Sequence, residues 1–273
     1  MSRIAERFKQ LAKEGRTALI PYVVAGDPSD AITVPLMHRM VASGADIIEI
    51  GVPFSDPMSE GPVIQQGHER ALDNGMSLSR VLELVREFRK SDDATPLLLM
   101  GYANPVMYMG YPTFADAASA AGLDALLTVD IPPEEVDDIN VELQRVGMDN
   151  IFLIAPTTPE ERMVRIAALA SGFIYYVSLK GVTGAGHLDL DDVAQQLAAI
   201  RKHSTLPLAV GFGIKDADSA AAIASLADGV VVGSALVSAM ASTVAGGGTS
   251  EQAIDAVAAL LCEIRNGIDN AAS

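Results

Sequence analysis

Short apolar runs alternate with longer amphipathic segments along nearly the whole chain of 273 residues. Eight runs rich in Val, Ile and Leu lack clean polar alternation, which is typical of strands covered on both faces. The predicted strands are 19–24, 47–50, 97–100, 125–129, 151–154, 174–177, 208–210 and 229–232. Helix-like stretches separate them, for example at 31–42, 77–89, 113–121, 160–170, 190–203 and 216–226.

Eight strand–helix units in one chain of this length predict a single α/β domain, residues 1–273, folded as a (β/α)8 TIM barrel. An extra N-terminal helix near 4–11 is expected to cover one end of the barrel. The alternative is a doubly wound open sheet, which normally has about five to seven strands. The strand count and the glycines late in the chain favour the barrel.

Local signals predict two helix starts and one buried side chain. Thr158 is expected to cap a helix with Pro159 in its first turn, and the segment from Thr249 to Gln252 fits a capping box for the last helix. Cys262 is the one cysteine, so a disulfide framework is excluded and a cysteine metal site is not expected. It lies in an apolar helical stretch and is expected to be buried.

Charge and hydropathy limit the class of partner. The formal charge is 19 − 35 = −16, which makes nucleic acid a poor partner. An anionic ligand would have to be bound by local backbone N–H groups, since the overall field repels it. The apolar runs are too short to span a bilayer, and the charged N-terminus lacks a signal sequence, so a cytoplasmic protein is expected.

Glu49 is the first candidate catalytic residue. Period two in the second predicted strand places Ile47, Glu49 and Gly51 on one side, with Ile48 and Ile50 on the other. A carboxylate at the C-terminal end of a barrel strand points into the mouth, where TIM barrels carry their active sites. Desolvation would raise its pKa towards neutral pH and suit it to proton transfer. The alternative is a structural ion pair.

The loop after Glu49 holds three prolines and two acids between residues 52 and 62. Such a stiff, long loop is typical of a functional βα loop. Glu60 could supply a second carboxylate, and paired carboxylates in different surroundings can divide acid and base roles. Asp56 fits a turn or capping acid as well as a functional one.

Glycines follow the last three predicted strands, at 181–186, 211–213 and 233. Glycines at helix starts let backbone N–H groups approach an anion, and TIM barrels often build a phosphate site after strands seven and eight. The four histidines have no metal-ligand spacing, and no lysine ends a predicted strand, Lys180 being the nearest. The chemistry is therefore expected to use carboxylates without a metal or an imine.

These residues together resemble the alpha subunit of tryptophan synthase over essentially the whole chain. The most specific segments are 21–28, 49–57, 61–65, 181–184 and 211–214. The resemblance implies a lyase that cleaves indole-3-glycerol phosphate to indole and glyceraldehyde 3-phosphate in tryptophan biosynthesis. It implies that Glu49 shuttles a proton at the carbon whose bond breaks, while the indole ring takes up the electrons.

The resemblance also implies roles for other residues. Position 60 matches the acid that binds the indole N–H. The substrate pocket would include Tyr22, Met100, Tyr102, Val129, Leu153, Tyr175 and Thr183. The phosphate would be held by Gly184, Gly213 and Ser234 and framed by Gly211, Phe212 and Gly233.

Further implications concern a partner. The alpha subunit binds a beta subunit in an alpha2beta2 heterotetramer, and Pro53 and Asp56 would lie in the loop at that contact. Pyridoxal phosphate would belong to the beta subunit, with no cofactor in this chain.

This sequence departs from the family motif at two positions, because Glu60 replaces the usual aspartate and Ser59 the usual alanine. A carboxylate moved by about 1 Å can cost on the order of 10²-fold in rate. Two alternatives stay open: another phosphate-binding barrel enzyme, such as a sugar-phosphate isomerase, and a partner that mainly activates the beta subunit.

Overall fold

The computed structural model describes residues 2–178, 189–211 and 213–271 and forms a closed barrel. Each strand pairs in parallel with the next, and the eighth pairs with the first. The strands are β1 (Ala18–Val24), β2 (Ile48–Gly51), β3 (Leu97–Gly101), β4 (Ala125–Thr128), β5 (Asp149–Ile154), β6 (Ile174–Val177), β7 (Leu208–Gly211) and β8 (Gly229–Val232). The predicted TIM barrel is confirmed, with every predicted strand in place to within two residues.

Helices surround the strands. They are α1 (Arg3–Glu14), α2 (Asp30–Ala42), α3 (Pro62–Asp73), α4 (Leu78–Phe88), α5 (Ala103–Met109), α6 (Tyr111–Ala121), α7 (Asp137–Arg145), α8 (Glu160–Leu169), α9 (Leu190–Ile200), α10 (Ala217–Ala224), α11 (Ser234–Ala245) and α12 (Ser250–Ala271). Among the described residues, no helix is long and apolar enough to cross a membrane.

The strands bury both faces in two separate clusters. Ile47 belongs to the inner cluster, which includes Phe8 and Leu11 of α1, whereas Ile48 and Ile50 belong to the outer cluster beneath the helices. The period of two predicted around Glu49 is therefore confirmed. Helix α1 packs its apolar face on the inner cluster and closes the N-terminal end of the barrel.

Aspartates fasten the N-terminal ends of the strands. Asp46, Asp124 and Asp228 each precede a strand and accept a hydrogen bond from the first or second backbone N–H of the strand before it, at 2.8–2.9 Å. Each carboxylate thus satisfies a strand-end donor that lacks a ladder partner. Helix α1 is tied to the same end, because Arg3 pairs with Asp124 and Arg7 with Asp46.

Two local predictions were wrong and one is confirmed. Pro159, not Thr158, is the N-cap of α8, because the Thr158 hydroxyl instead accepts a hydrogen bond from Ala155 N. Cys262 is exposed, since it lies off the buried face of α12. The capping box at α12 is present: Gln252 N donates to the Thr249 hydroxyl, and Thr249 N donates to the Gln252 side chain.

Candidate active site

A cavity of about 240 Å³ opens at the C-terminal ends of the strands. Its walls are mostly apolar, with two carboxyl groups among them. The described residues that line it are Tyr22, Glu49, Ser59, Glu60, Ile64, Met100, Val129, Leu153, Ala155, Tyr175, Val177, Gly213, Ile214, Val231, Gly233 and Ser234. A few convergent polar groups in an apolar pocket are typical of a small-molecule site.

Glu49 is only 1% exposed, and neither of its carboxyl oxygens has a hydrogen-bonding partner among the described residues. Burial raises its pKa to about 8, and the negative charge of Glu60 adds to the shift. The structural ion pair that the sequence left open is therefore not supported by the described part of the chain. A carboxyl group that is protonated near neutral pH can donate a proton to a substrate.

Glu60 is buried in a different way. Its Oε2 accepts hydrogen bonds from the Tyr102 hydroxyl at 2.6 Å and from Ser59 N at 3.2 Å. Burial raises the pKa of Glu60, and the bond from Tyr102 opposes that rise. Both bonds go to Oε2, so Oε1 remains to accept a hydrogen bond from a ligand. Phe54, in the same loop as Glu60, stacks on the Tyr102 ring with the two ring centroids 4.7 Å apart.

Two tyrosines lean from one strand onto the terminal glycine of the next. The Tyr22 ring of β1 lies over Gly51 of β2, and the Tyr175 ring of β6 lies over Gly211 of β7. A Cβ at either glycine would collide with the tyrosine above it. Glycine at the ends of these two strands is therefore what lets the two aromatic side chains line the cavity.

The N-termini of the last two barrel helices differ in their capping. Helix α10 is capped by its own Asp216, which accepts from Ser219 N in a capping box. Helix α11 follows Gly233 and has no side-chain cap, and its first helical hydrogen bond is donated by Leu236 N. The N–H groups before Leu236 are thus available to an anion at the cavity edge, where Gly233 and Ser234 lie.

The cavity brings together ten of the seventeen predicted site residues: Tyr22, Glu49, Glu60, Met100, Val129, Leu153, Tyr175, Gly213, Gly233 and Ser234. Four others lie elsewhere. Tyr102 stands behind Glu60, Gly211 lies under Tyr175, Pro53 is buried in its loop, and Asp56 is exposed. Thr183, Gly184 and Phe212 lie outside the described residues, as does Lys180.

Sequence reasoning missed six of the lining residues, namely Ser59, Ile64, Ala155, Val177, Ile214 and Val231. Three of them carry a usable signal from their place along a strand. Ala155 follows β5, Val177 ends β6, and Val231 is an inward-facing residue of β8. Ile64 and Ser59 depend on how the loop after β2 folds back, which has no local signal.

Two other kinds of site, a metal site and a second ligand pocket, have less support. Among the described residues, no group of three His, Cys, Asp or Glu side chains could hold a metal ion. A wider depression of about 600 Å³ lies at the opposite end, against α1. Its cationic side chains each have an acidic partner: Arg16 pairs with Glu14, Arg201 with Asp228, and Lys9 lies 4.0 Å from Glu6.

A closed (β/α)8 barrel with two buried carboxyl groups in one apolar cavity, beside an uncapped helix start, defines a barrel enzyme of acid–base chemistry acting on an anionic small molecule. Comparison with known proteins gives the family. The family model for the tryptophan synthase alpha chain matches residues 8–268. The chain belongs to the tryptophan synthase alpha chain family.

Individual relatives agree with the family. The tryptophan synthase alpha chain of Thioalkalivibrio sulfidiphilus is 60% identical over 273 residues, covering 98% of this chain and 100% of the relative. That of Nitrosococcus oceani is 61% identical over 237 residues, covering 87% and 88%. The crystal structure of tryptophan synthase subunit alpha from Legionella pneumophila aligns with a TM-score of 0.91 at 44% identity, covering 99% of each chain.

Proposed function

We propose that the cavity at the barrel rim is where this chain cleaves indole-3-glycerol phosphate, with Glu49 and Glu60 as its catalytic residues. The activity is that of the family: this chain is a carbon–carbon lyase of tryptophan biosynthesis that forms indole and glyceraldehyde 3-phosphate. The observation that carries the placement is the pair of buried carboxyl groups with different surroundings in one cavity.

Glu49 supplies the proton transfer. The reaction breaks the bond between indole C3 and the first carbon of the glycerol chain. C3 gains a proton, and the hydroxyl on the departing carbon loses one as that carbon becomes an aldehyde. With a pKa of about 8, Glu49 is mostly protonated at pH 7. It can therefore give its proton to C3 and take the hydroxyl proton back, which leaves the enzyme unchanged after each turnover.

Glu60 stabilises the charge that develops on the ring. Protonation at C3 makes the indole nitrogen more positive, and a carboxylate that accepts its N–H hydrogen bond lowers the energy of that state. The Tyr102 hydroxyl and Ser59 N–H fix Oε2, which leaves Oε1 for the ring. These two bonds accommodate the glutamate at position 60, because its longer side chain is held by Ser59 of its own loop and by Tyr102 after β3.

The phosphate is proposed to bind at the N-terminus of α11. Gly233 leaves that helix without a side-chain cap, and Gly213 adopts a positive φ of 77° beside it. Thr183, Gly184 and Phe212 are proposed to complete the substrate site, with Gly211 supporting Tyr175. Residues 1–273 form one domain in this proposal, since β1 and β8 pair to close the barrel and α12 packs on α2, α10 and α11.

The alpha chain works in a complex with the tryptophan synthase beta subunit, and pyridoxal phosphate belongs to that subunit. Among solved structures, a tryptophan synthase from M. tuberculosis in an aminoacrylate-bound form aligns at a TM-score of 0.86 and 32% identity. Asp56 is exposed in the loop after β2, which supports a contact there, whereas Pro53 is buried beneath it. We place the assembly in the cytoplasm, as expected of a biosynthetic enzyme.

Indole release from indole-3-glycerol phosphate tests the proposal, with the wild type compared with Glu60→Gln. The variant keeps the size of the side chain but loses its charge, so we expect a fall in kcat of about 10²-fold with an unchanged melting temperature. Near-full activity would remove Glu60 from the mechanism. Repeating both assays with saturating beta subunit separates an enzyme from a mere activator, since an activator alone would form no indole above background.

A further inference from the structure

His68 bridges the cavity wall and the loop after β2. It lies on α3 and is 1% exposed. Its Nδ1 lies 3.2 Å from Phe54 N, and its Nε2 lies 3.2 Å from the Tyr22 hydroxyl oxygen. One imidazole therefore contacts both the start of the loop that carries Glu60 and a residue that lines the cavity.

The two contacts fix the direction of every hydrogen bond. The Phe54 backbone N–H can only donate, so Nδ1 must accept and carries no proton. Burial lowers the pKa of His68 to about 4, so the ring is neutral at pH 7 and its single proton is on Nε2. Nε2–H consequently donates to Tyr22, whose oxygen accepts.

The Tyr22 hydroxyl hydrogen is thereby left free to donate elsewhere. Tyr22 is 3% exposed, and within the described ranges its hydroxyl has no hydrogen bond other than the one with His68. A buried O–H donor without an acceptor costs about 1–3 kcal/mol. Such a group beside a ligand cavity points to an acceptor on the ligand.

The position of Tyr22 indicates which part of the ligand it meets. Its Cβ lies 3.5 Å from the place where a Cβ on Gly233 would stand, at the proposed phosphate end. Its hydroxyl lies over Gly51, and Tyr22 pairs in register with Glu49 on the next strand. The ring thus runs from the phosphate end towards the proton donor, as the glycerol chain of the substrate must.

We propose that Tyr22 donates a hydrogen bond to a hydroxyl oxygen of the glycerol chain, and that His68 is a positioning residue that directs this hydrogen into the cavity. The inference rests on the proposed function. The indole N–H is itself a donor and cannot accept from Tyr22, and the phosphate lies at the other end of the ring. The glycerol hydroxyls are the acceptors that remain at the Glu49 end.

A comparison of two ligands tests the donor. Tyr22→Phe is expected to lower kcat/KM for indole-3-glycerol phosphate about 10-fold, the size of one hydrogen bond. The same variant is expected to bind an analogue with a plain propyl phosphate chain, which lacks the glycerol hydroxyls, within about 2-fold of the wild type, since no bond is lost. An equal loss with both ligands, or no loss with either, overturns the proposal.

His68→Asn tests the positioning role. The amide oxygen of asparagine stands near the place of Nδ1 and can still accept from Phe54, but nothing replaces Nε2–H. We expect a kcat/KM loss like that of Tyr22→Phe, and no further loss when the two changes are combined, because they remove one interaction. Losses that multiply would show that His68 acts on the fold and not through Tyr22.

Wild-type turnover distinguishes failure of this inference from failure of the proposed function. If the wild type releases indole and Tyr22→Phe behaves like it, only the role of Tyr22 and His68 is lost. If the wild type with beta subunit releases no indole, the proposed function fails and this inference fails with it. Tyr176→Phe is the matched control. Tyr176 of β6 is buried in the outer cluster, so this change should leave the binding of both ligands unaffected.

Discussion

Two buried carboxyl groups at strand β2 have opposite surroundings: Asp46 lies two residues before the strand, and Glu49 lies within it and faces the cavity. Asp46, 2% exposed, accepts from Leu19 N at 2.9 Å and lies 2.9 and 3.1 Å from the guanidiniums of Arg7 and Arg265. Glu49, 1% exposed, has no partner for either oxygen among the described residues. Three positions separate a fully paired acid from an unpaired one.

The difference shows that the two ends of the barrel use buried polar groups for different purposes. At the N-terminal end of the barrel, Asp46 pairs with Arg7 of α1 and Arg265 of α12. These pairs hold the first and last helices of the chain against the barrel. At the C-terminal end the protein leaves Glu49 unpaired, so that burial raises its pKa to about 8. Barrel enzymes generally keep stability at the first end and chemistry at the second.

Removing the acid at the active end should have the largest effect on rate. Glu49→Gln cannot transfer a proton, so we expect kcat for indole release to fall by at least about 10³-fold. The melting temperature should hold or rise, since a buried unpaired acid has been replaced by a neutral amide. A variant that unfolds while the remaining folded fraction keeps its kcat would contradict the comparison.

Removing Asp46, the acid at the N-terminal end, should have the opposite effect: it should lower stability and leave kcat unchanged. Asp46→Asn removes the carboxylate that pairs with both Arg7 and Arg265, and Arg265 keeps Asp269 as its acidic partner, at 2.6 Å. We expect a loss of about 2–4 kcal/mol in the free energy of unfolding, measured by urea titration. The folded fraction should keep its kcat. Asp73→Asn, at an exposed carboxylate on α3, serves as the control and should stay within about 0.5 kcal/mol of the wild type.

The unpaired acid should also make stability depend on pH. Between about pH 4.5 and pH 8 the folded protein holds a proton on Glu49 that the unfolded chain releases. The stabilising contribution is therefore present at low pH and is lost as pH rises through 8. Relative to Glu49→Gln, the wild type should lose on the order of 3–5 kcal/mol of unfolding free energy from pH 5 to pH 9. A constant difference between the two proteins would contradict this.

The smallest expected effect comes from a buried hydroxyl far from the chemistry. Tyr176 on β6 is fully buried, and its hydroxyl has no partner among the described residues. Tyr176→Phe should leave kcat unchanged and alter the unfolding free energy by no more than about 1 kcal/mol, towards greater stability. A marked loss of activity would show that polar groups on the outer face of the barrel also reach the site.

The sequence predicts the barrel well because its signals are local. Strands covered on both faces leave unbroken apolar runs, and the inward position of Glu49 follows from the period of two that Ile47 confirms. Cys262 could also have been placed correctly, since Val257, Leu261 and Ile264 mark the buried face of α12 and position 262 lies off it. The wrong cap at Thr158 has a local cause, a hydroxyl that bonds backwards to Ala155.

Long-range contacts are what the sequence does not reveal. Arg265 reaches Asp46 across 219 positions, and no pattern along the chain connects them. The pairing of His68 with Tyr22 across 46 positions is equally hidden. The contact of Tyr102 with Glu60 is hidden in the same way. The sequence predicts Tyr102 in the substrate pocket, and in the structure its hydroxyl donates a hydrogen bond to Glu60.

The protonation state of Glu49 is the measurement that bears most directly on the contrast between Asp46 and Glu49. Carbon-13 NMR of glutamate-labelled protein, with Glu49→Gln used to identify the resonance, follows the carboxyl carbon across pH 4 to 10. The structure predicts a midpoint near 8, the value that burial imposes on its pKa. A midpoint near 4.5, the ordinary value for glutamate, would contradict the account, because Glu49 would then be a paired or solvated carboxylate like any other.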